Sequence, residues 1–285
     1  MSRSNIRTGV TLALVAGVVL GGAACTYGGG DTDAQTIANL QRRLTNLEDI
    51  QAIERLERAY GHYVDKNLWD QVVDLFADDG TVELDQRGIF VGKAGVRRLF
   101  LETLGHGEVG IKKGTLFNHI QVEGVVDVDE GGHTAKARYH VIIQVAGFGG
   151  SDGFWSDGIY ENEFVKDNGV WKFHKLKFWP TYYTPFHEGW TGQQVACING
   201  DGTGLSPGAD KPSTDHAGVF PDVYFPPYHY PNPVTGKAVD VSALNAAATA
   251  QTTWPACPPR NGATAPAASK ADTAKPNKAA KPGSK

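Results

Sequence analysis

The sequence has few cysteines and none of the short motifs that mark metal, redox or nucleotide sites. Only three cysteines occur among 285 residues and none forms a Cys-x-x-Cys pair, so neither a zinc ribbon nor a redox dithiol is indicated. The chain also lacks metal-ligand spacing, a phosphate-binding glycine loop and a strand-to-helix nucleophile elbow. We therefore expect no metal ion and no organic cofactor.

The uncharged run near the N-terminus is too short to span a bilayer, which takes about 20 residues. Residues 10–20 form this run after Arg3 and Arg7, a pattern typical of a secretory leader. Small residues then lead to Cys25, as in a bacterial lipobox, although Leu20 lies five positions before the cysteine where that pattern has its large apolar residue at three. Lipidation of Cys25 is the first interpretation and ordinary signal-peptidase cleavage the alternative. Residues 1–25 are thus a predicted signal peptide, and export to the cell envelope or periplasm is predicted.

Both ends of the chain are predicted to lie outside the fold. Residues 26–35 read as a flexible tether, and residues 260–285 lack aromatic and branched apolar side chains, so this basic Ala/Pro/Lys tail is predicted to be disordered. The tail carries a net charge of about +5 and the leader +2. Since the whole chain has a net charge of −4, the residues between them carry about −11. An acidic fold argues against nucleic-acid binding. Membrane contact is expected only through a lipid at Cys25.

The two remaining cysteines, Cys197 and Cys257, fall in a Pro/Gly-rich stretch, residues 189–259, that we predict to wrap the domain surface. In an oxidising compartment they are expected to form a disulfide; two separate buried thiols are the alternative. His229 in this stretch is interpreted as an isolated loop residue.

The middle of the chain, residues 36–188, is predicted to form one α+β domain. Apolar residues recur every three or four positions over 33–67, which predicts a long helix whose first half could pair with another subunit in a homo-oligomer. The period then changes from 3.6 to 2, so helices are followed by antiparallel strands in a curved sheet covered on one face. Predicted helices cover 33–67, 69–76 and 93–104, and predicted strands 81–84, 116–128, 134–145, 159–166 and 170–179.

Candidate catalytic side chains occur at the end of the long helix and within two strands. Tyr60 and Tyr63 are one turn apart, and Asp65 lies where the helix ends. His119 and His140 lie in the middle of predicted strands. Histidine titrates near neutrality, and a carboxylate can orient it and stabilise its charged form, which general acid–base chemistry requires. Packing in the core or an ordinary loop is the alternative for each residue alone.

These residues lie in segments that resemble a known family. The run LEDIQAIERLERAYGHYVDKNLWDQVVDLFADDGTVEL, with NHIQVEG and RYHVIIQV later, is similar to the SnoaL-like branch of the nuclear transport factor 2-like superfamily. The resemblance implies a cone-shaped, strongly curved antiparallel sheet closed by helices around an apolar pocket. Asp65 followed four residues later by Trp69 is its most specific part.

The resemblance implies cofactor-free lyase or isomerase chemistry. Similarity to scytalone dehydratase within this branch implies catalytic roles for Asp65, His119 and His140, and similarity to bile-acid 7α-dehydratase implies one for Tyr60. Tyr63 is a second candidate for polarising the substrate. Val64 and the absence of an arginine over 178–182 depart from these patterns, so the substrate does not carry over. Aromatic residues suited to an aromatic or polycyclic substrate include Trp69, Phe117, Tyr160 and Phe178.

A non-catalytic module that binds a hydrophobic small molecule at the envelope is the alternative function, because fold alone does not establish activity. Such a module needs the aromatic pocket but not the acid–base residues. The two hypotheses differ in one geometric expectation. In the lyase, Asp65, His119 and His140 converge in one cavity; histidines on opposite faces of the sheet would contradict this lyase and leave the binding module.

Overall fold

The computed structural model describes residues 32–147, 153–187, 189–190, 206–214, 220 and 223–251. The predicted leader with Cys25, the cysteines Cys197 and Cys257, and the predicted tail lie outside the described residues. The chain divides into two compact units, Met1–Arg43 and Leu44–Lys285. Among the described residues of the first unit is the start of helix α1, and the second unit contains the domain. Within the described ranges, no helix combines the length and apolarity needed to cross a membrane.

Helix α1 spans Asp33–Asp65, close to the predicted 33–67. Its buried side chains, among them Ile53, Leu56, Tyr60 and Val64, recur every three or four residues in its second half and form one face. Beyond the helix end, Asn67 adopts a positive φ of 53°, which turns the chain away from the helical path.

The remaining helices are short. Helix α2 covers Trp69–Asp74 and ends earlier than predicted because Phe76 already belongs to a strand. Helix α3, Gly92–Arg97, continues into a π-helical segment, Arg98–Leu104, which together match the predicted 93–104. A 3-10 turn covers Asp85–Arg87, and α4 covers Ser242–Gln251.

Six strands form one curved, open sheet in the order β2-β1-β6-β5-β4-β3. Hairpins join β3 to β4 and β5 to β6, in agreement with the antiparallel strands predicted over 116–128, 134–145, 159–166 and 170–179. The expected antiparallel pairing holds for four of the five strand pairs described; β1 pairs with β6 in parallel, so the sheet is mixed. β1 begins at Phe76, before the predicted strand 81–84, and runs through Asp79 and Gly80; its pairing with β6 has a bulge between Phe76 and Thr81 that includes these residues. The strands are β1 Phe76–Leu84, β2 Ile89–Val91, β3 Leu116–Val128, β4 Thr134–Ala146, β5 Phe154–Asp167 and β6 Val170–Pro185.

The core lies between the concave face of the sheet and the helices. Tyr60 packs edge-on against the rings of Phe100, Tyr160 and Phe173, with centroids 5.6–6.1 Å apart. At position 158 in β5 only glycine fits, because a Cβ there would collide with the ring of Phe178 and the carbonyl of Trp179. This close approach lays the Phe178 ring flat against the strand.

Parts of the region predicted as a wrapping extension contact the domain. Glu83 accepts hydrogen bonds from the Ser213 hydroxyl (2.9 Å) and the Thr214 backbone N–H (2.6 Å). Farther along, His229 is buried, with Nδ1 2.8 Å from a carboxylate oxygen of Glu161. The interpretation of His229 as an isolated loop residue is therefore wrong; its partner is 68 positions away in sequence, which local patterns do not reveal.

One carboxyl group in the core lacks a charged partner. Glu57 on α1 is fully buried; its Oε1 accepts a hydrogen bond from the Asn162 amide (2.6 Å), and its Oε2 makes none among the described residues. Burial raises the pKa of Glu57 to about 8, against the lowering effect of the Asn162 hydrogen bond. The folded domain therefore holds Glu57 as the neutral acid at neutral pH.

This pKa makes stability depend on pH. Between the ordinary value of 4.5 and about 8, Glu57 is ionised in the unfolded chain and protonated in the folded one, so the free energy of unfolding falls as pH rises. We expect Glu57→Gln to remove this slope and to be relatively more stable at pH 8 than at pH 5, by on the order of 3 kcal/mol. Urea unfolding of the wild type and of Glu57→Gln at the two pH values measures this difference in stability. Glu48→Gln, on the exposed part of α1, is the control, and an unchanged slope in Glu57→Gln would contradict the assignment.

The exposed apolar residues in the first half of α1 are the candidate contact surface of the predicted homo-oligomer. Ile37, Leu40, Leu44 and Leu47 are each 55–58% exposed. If they pair with a second copy, deleting residues 32–46 from the mature protein should lower the mass in solution to that of a monomer. Light scattering measures this, and an unchanged mass would count against an oligomer held by this helix.

Candidate functional site

A cavity of about 670 Å³ lies on the concave side of the sheet. This volume is in the range of pockets that hold small molecules. Strands β1, β3, β4, β5 and β6, the π-helical segment and residues 206–208 contribute to its lining. Its lining side chains are mainly apolar and aromatic, with a few charged groups.

All four aromatic residues predicted to contact a ligand line this cavity: Trp69, Phe117, Tyr160 and Phe178. The Trp69 indole N–H donates to the carbonyl of Glu108 (2.9 Å), which fixes the ring, and its edge meets Phe117 with centroids 6.4 Å apart. The aromatic lining is therefore held rigidly and presents ring faces and edges to a ligand.

His119 lines the cavity and contacts Asp65 behind it. Asp65 Oδ1 accepts the backbone N–H of His119 at 2.6 Å and lies 3.8 Å from the Nδ1 of the same residue. The His119 side chain is 7% exposed, and its Nδ1 has no hydrogen bond in the described part of the chain. The predicted helix-end carboxylate and strand histidine are thus adjacent.

Burial sets the protonation of this pair. It lowers the pKa of His119 to about 3, so the imidazole is neutral at physiological pH. Burial also raises the pKa of Asp65 above its ordinary value, while the His119 backbone hydrogen bond, Lys66 and His62 oppose that rise. A neutral imidazole is the form that can accept a proton.

His140 lies on the opposite face of the sheet, so the expected convergence of Asp65, His119 and His140 is wrong. His119 pairs with Ile143 across β3 and β4, whereas His140 pairs with Val122. Ile143 is three residues from His140, and an odd separation on a strand places two side chains on opposite faces. His140 is 33% exposed, and its Nε2 lies 2.7 Å from Asp157 Oδ2.

The two candidate tyrosines also lie outside the cavity lining. Tyr60 is buried in the core, with its hydroxyl 3.3 Å from that of Tyr160, which does line the cavity. Burial raises the pKa of Tyr60 well above its ordinary value, and Tyr160 and Glu57 add to this, so its hydroxyl remains protonated. Tyr63 packs against the edge of the core. Tyr60 can reach a ligand only through Tyr160.

Sequence reasoning missed the charged residues of the cavity. Arg87 and Tyr183 line it, and both contact the buried carboxylate of Asp85: Arg87 through a salt bridge and Tyr183 through its hydroxyl at 2.6 Å. Arg98 also lines it and binds Asp210. The only local signal is a charged Asp-x-Arg turn after β1, and nothing in it indicates that Tyr183, 98 positions away, is the partner.

Residues 45–177 match the family described as the SnoaL-like domain. This stretch is similar to SnoaL-like domains. This confirms the family resemblance, and the helices and curved sheet agree with it. The match lies within the predicted domain, residues 36–188. No curated protein matches the chain at a significant level.

Solved structures similar to the domain include lyases by description. A putative scytalone dehydratase from Novosphingobium aromaticivorans DSM 12444 is 26% identical over 50% of this chain and 91% of its own, with a TM-score of 0.43. The hexachlorocyclohexane dehydrochlorinase LinA-type3 from Novosphingobium barchaimii LL02 is 21% identical over 50% of this chain and 94% of its own, with a TM-score of 0.44.

The buried imidazole gives a prediction independent of function. Because burial lowers the pKa of His119 to about 3 from 6.5, this residue should stay neutral from pH 8 to pH 5, and its own contribution to the free energy of unfolding should decline as pH falls from 6.5 towards 3, opposite in direction to the contribution of Glu57. Imidazole NMR signals, assigned with His119→Gln, measure the first effect. A midpoint near 6.5 for the signal that disappears in His119→Gln would contradict the buried, neutral state.

Proposed function

We propose that the SnoaL-like domain is a cofactor-independent lyase or isomerase that moves a proton on a hydrophobic ring compound, with His119 as the base. The observation that carries the proposal is the pairing of His119 with Asp65 in the lining of an aromatic cavity. The family match supports a small-molecule pocket, and the chemistry is argued from these two residues.

His119 supplies the proton acceptor. Its Nδ1 faces Asp65, so Nε2 is the ring nitrogen left to meet a substrate in the cavity. This nitrogen would take a proton from carbon next to an electron-withdrawing group. A single histidine can then return the proton to a departing oxygen when both groups lie on the same side of the substrate, which releases water and leaves a double bond. Returned to another carbon, the proton completes an isomerisation.

Asp65 acts as the positioning carboxylate. The backbone hydrogen bond from His119 holds one oxygen in place, and the imidazolium that forms during proton transfer would be stabilised by the charge 3.8 Å from Nδ1. This distance exceeds a hydrogen bond; contacts of this kind tighten when substrate binds. The nearby carboxylate offsets the burial that otherwise disfavours the charged ring.

The lining indicates the class of substrate. Trp69, Phe117, Tyr160 and Phe178 offer aromatic surface, and a flat hydrophobic molecule gains most from burial against it. Export, predicted from residues 1–25, would place this reaction in the cell envelope, where a reaction without a cofactor is practical.

Ligand binding without catalysis is the second candidate, and one observation favours it. His140 faces away from the cavity, which contradicts the lyase expected from the sequence with both histidines; the proposal above is a different chemistry that uses His119 alone. A binding module would use the same aromatic lining and would not depend on proton transfer at His119. The two functions therefore differ in the consequence of replacing that histidine.

Purified mature protein should be screened against hydroxylated aromatic and steroid-like compounds in deuterium oxide. Loss of water or formaldehyde, or uptake of deuterium at carbon, is measured by mass spectrometry. For a compound that reacts, we expect His119→Gln to reduce kcat/KM by about 10²–10⁴-fold, because the proton acceptor is gone. Asp65→Asn should lower kcat by on the order of 10-fold or more with little change in KM.

His140→Gln is the matched control, since it replaces a histidine of the same sheet on the opposite face, and it should retain activity. Equal losses in His119→Gln and His140→Gln would contradict the assignment of the base. Stoichiometric capture of compounds without turnover, unchanged in His119→Gln, would establish the binding function instead.

A further inference from the structure

We propose that Arg87 forms an oxyanion subsite in the cavity, so that the natural ligand is a ring compound bearing a carboxylate or a comparable anionic oxygen group. This deepens the proposed function by naming the ligand class, and it rests on that proposal only in using the same cavity. The ring would lie against the aromatic lining while the anionic group meets the guanidinium.

The difference in exposure between the two charged residues favours this arrangement. The Asp85 side chain is 0% exposed and that of Arg87 is 21% exposed, so the carboxylate is sealed in the protein while the arginine side chain retains accessible surface. Asp85 engages the Nη1 group of Arg87. A guanidinium has five N–H donors in a planar fork, which matches the geometry of carboxylates and related oxyanions.

The turn that carries Arg87 is fixed on several sides. Asp85 adopts a positive φ of 50°, an uncommon conformation for a residue other than glycine. The Ser213 hydroxyl donates to the Asp85 carbonyl (2.6 Å), and the Ser206 backbone N–H donates to the Arg87 carbonyl (2.8 Å). The Tyr183 hydroxyl donates to the Asp85 carboxylate (2.6 Å). The guanidinium is therefore pre-organised rather than free to move away from a ligand.

Stability alone does not account for this group. Removing an ion pair from water costs free energy that the attraction between the charges often fails to recover, and apolar residues of similar size commonly serve a core as well. A buried ion pair whose arginine lines a largely aromatic cavity thus indicates recognition of a ligand group. Asp85 restrains this arginine while leaving part of its surface accessible.

The second arginine of the cavity is already engaged. Arg98 donates to both carboxylate oxygens of Asp210 at 2.7 Å and to the carbonyl of Gly208 at 3.0 Å, which secures residues 208–210 beside the cavity. Glu102 also lines the cavity and would repel an anion near it. The subsite is therefore assigned to Arg87.

Two fluorescent probes with the same ring system test the proposal: 8-anilinonaphthalene-1-sulfonate, which is anionic, and N-phenyl-1-naphthylamine, which is neutral. Their dissociation constants are measured by titration of the mature protein in 0.3 M NaCl, which screens exposed surface charges. We expect Arg87→Gln to weaken the sulfonate by about tenfold or more and the neutral probe by less than about twofold. The neutral probe also reports that the cavity is intact.

Arg97→Gln is the matched control, because Arg97 pairs with Asp70, is 47% exposed and does not line the cavity. It should leave both dissociation constants unchanged. The proposal is overturned if the wild-type protein does not bind the sulfonate, if Arg87→Gln affects both probes equally, or if Arg98→Gln rather than Arg87→Gln produces the selective loss.

A second variant covers the case in which Arg87→Gln leaves Asp85 uncompensated and the domain unfolds. The double variant Asp85→Asn/Arg87→Gln removes both charges, and the same selective loss is expected; retained sulfonate binding would overturn the proposal. The probe titrations measure binding of an unreactive ligand and do not depend on proton transfer at His119. Failure of catalysis at His119 therefore leaves this result standing, and failure of the Arg87 subsite leaves the assignment of the base standing.

Discussion

The site depends on one hydrogen bond between the end of the long helix and the first strand of a hairpin. The carboxylate of Asp65 accepts the backbone N–H of His119 at 2.6 Å, which holds helix α1 against β3 and brings the two side chains together. A charge-assisted hydrogen bond in a largely buried position is among the stronger local interactions available to a small domain. Because the same carboxylate also faces the imidazole, one residue serves both the packing of the fold and the electrostatics of the cavity.

Much of the fold could be predicted because it is encoded in local periodicity. The helical repeat through Ile53, Leu56 and Tyr60 marks α1, and glycine-rich turns mark both hairpins. The parallel pairing of β1 with β6 could not be predicted in this way, since it joins strands that are about 90 residues apart and has no turn to reveal it. The Phe76–Leu84 strand likewise continues through Asp79-Gly80, which reads locally as a stop, because pairing with β6 tolerates a bulge there.

Local sequence patterns likewise predict only part of the candidate site. Alternation along β4 already places His140 on the face of Lys136 and Arg138, opposite Val141 and Ile143, so its position away from the cavity follows from the sequence. In β3 the alternation misleads, because Leu116, Ile120 and Val122 are the exposed set while His119 is buried. Burial of this strand is decided by the neighbours it meets, and these come from α1 and β4.

Buried charged residues that no local sequence pattern predicts are the most informative about function in this domain. Glu57 is held neutral by burial and needs only Asn162, so it belongs to the core. Asp85 and Arg87 remain a charged pair, fixed by Tyr183 and residues from the later part of the chain. A buried ion pair beside a largely aromatic cavity is accounted for when the ligand carries a group complementary to the arginine. His119 and Arg87 together would then give a bound ring compound a defined orientation, which an aromatic lining by itself does not impose.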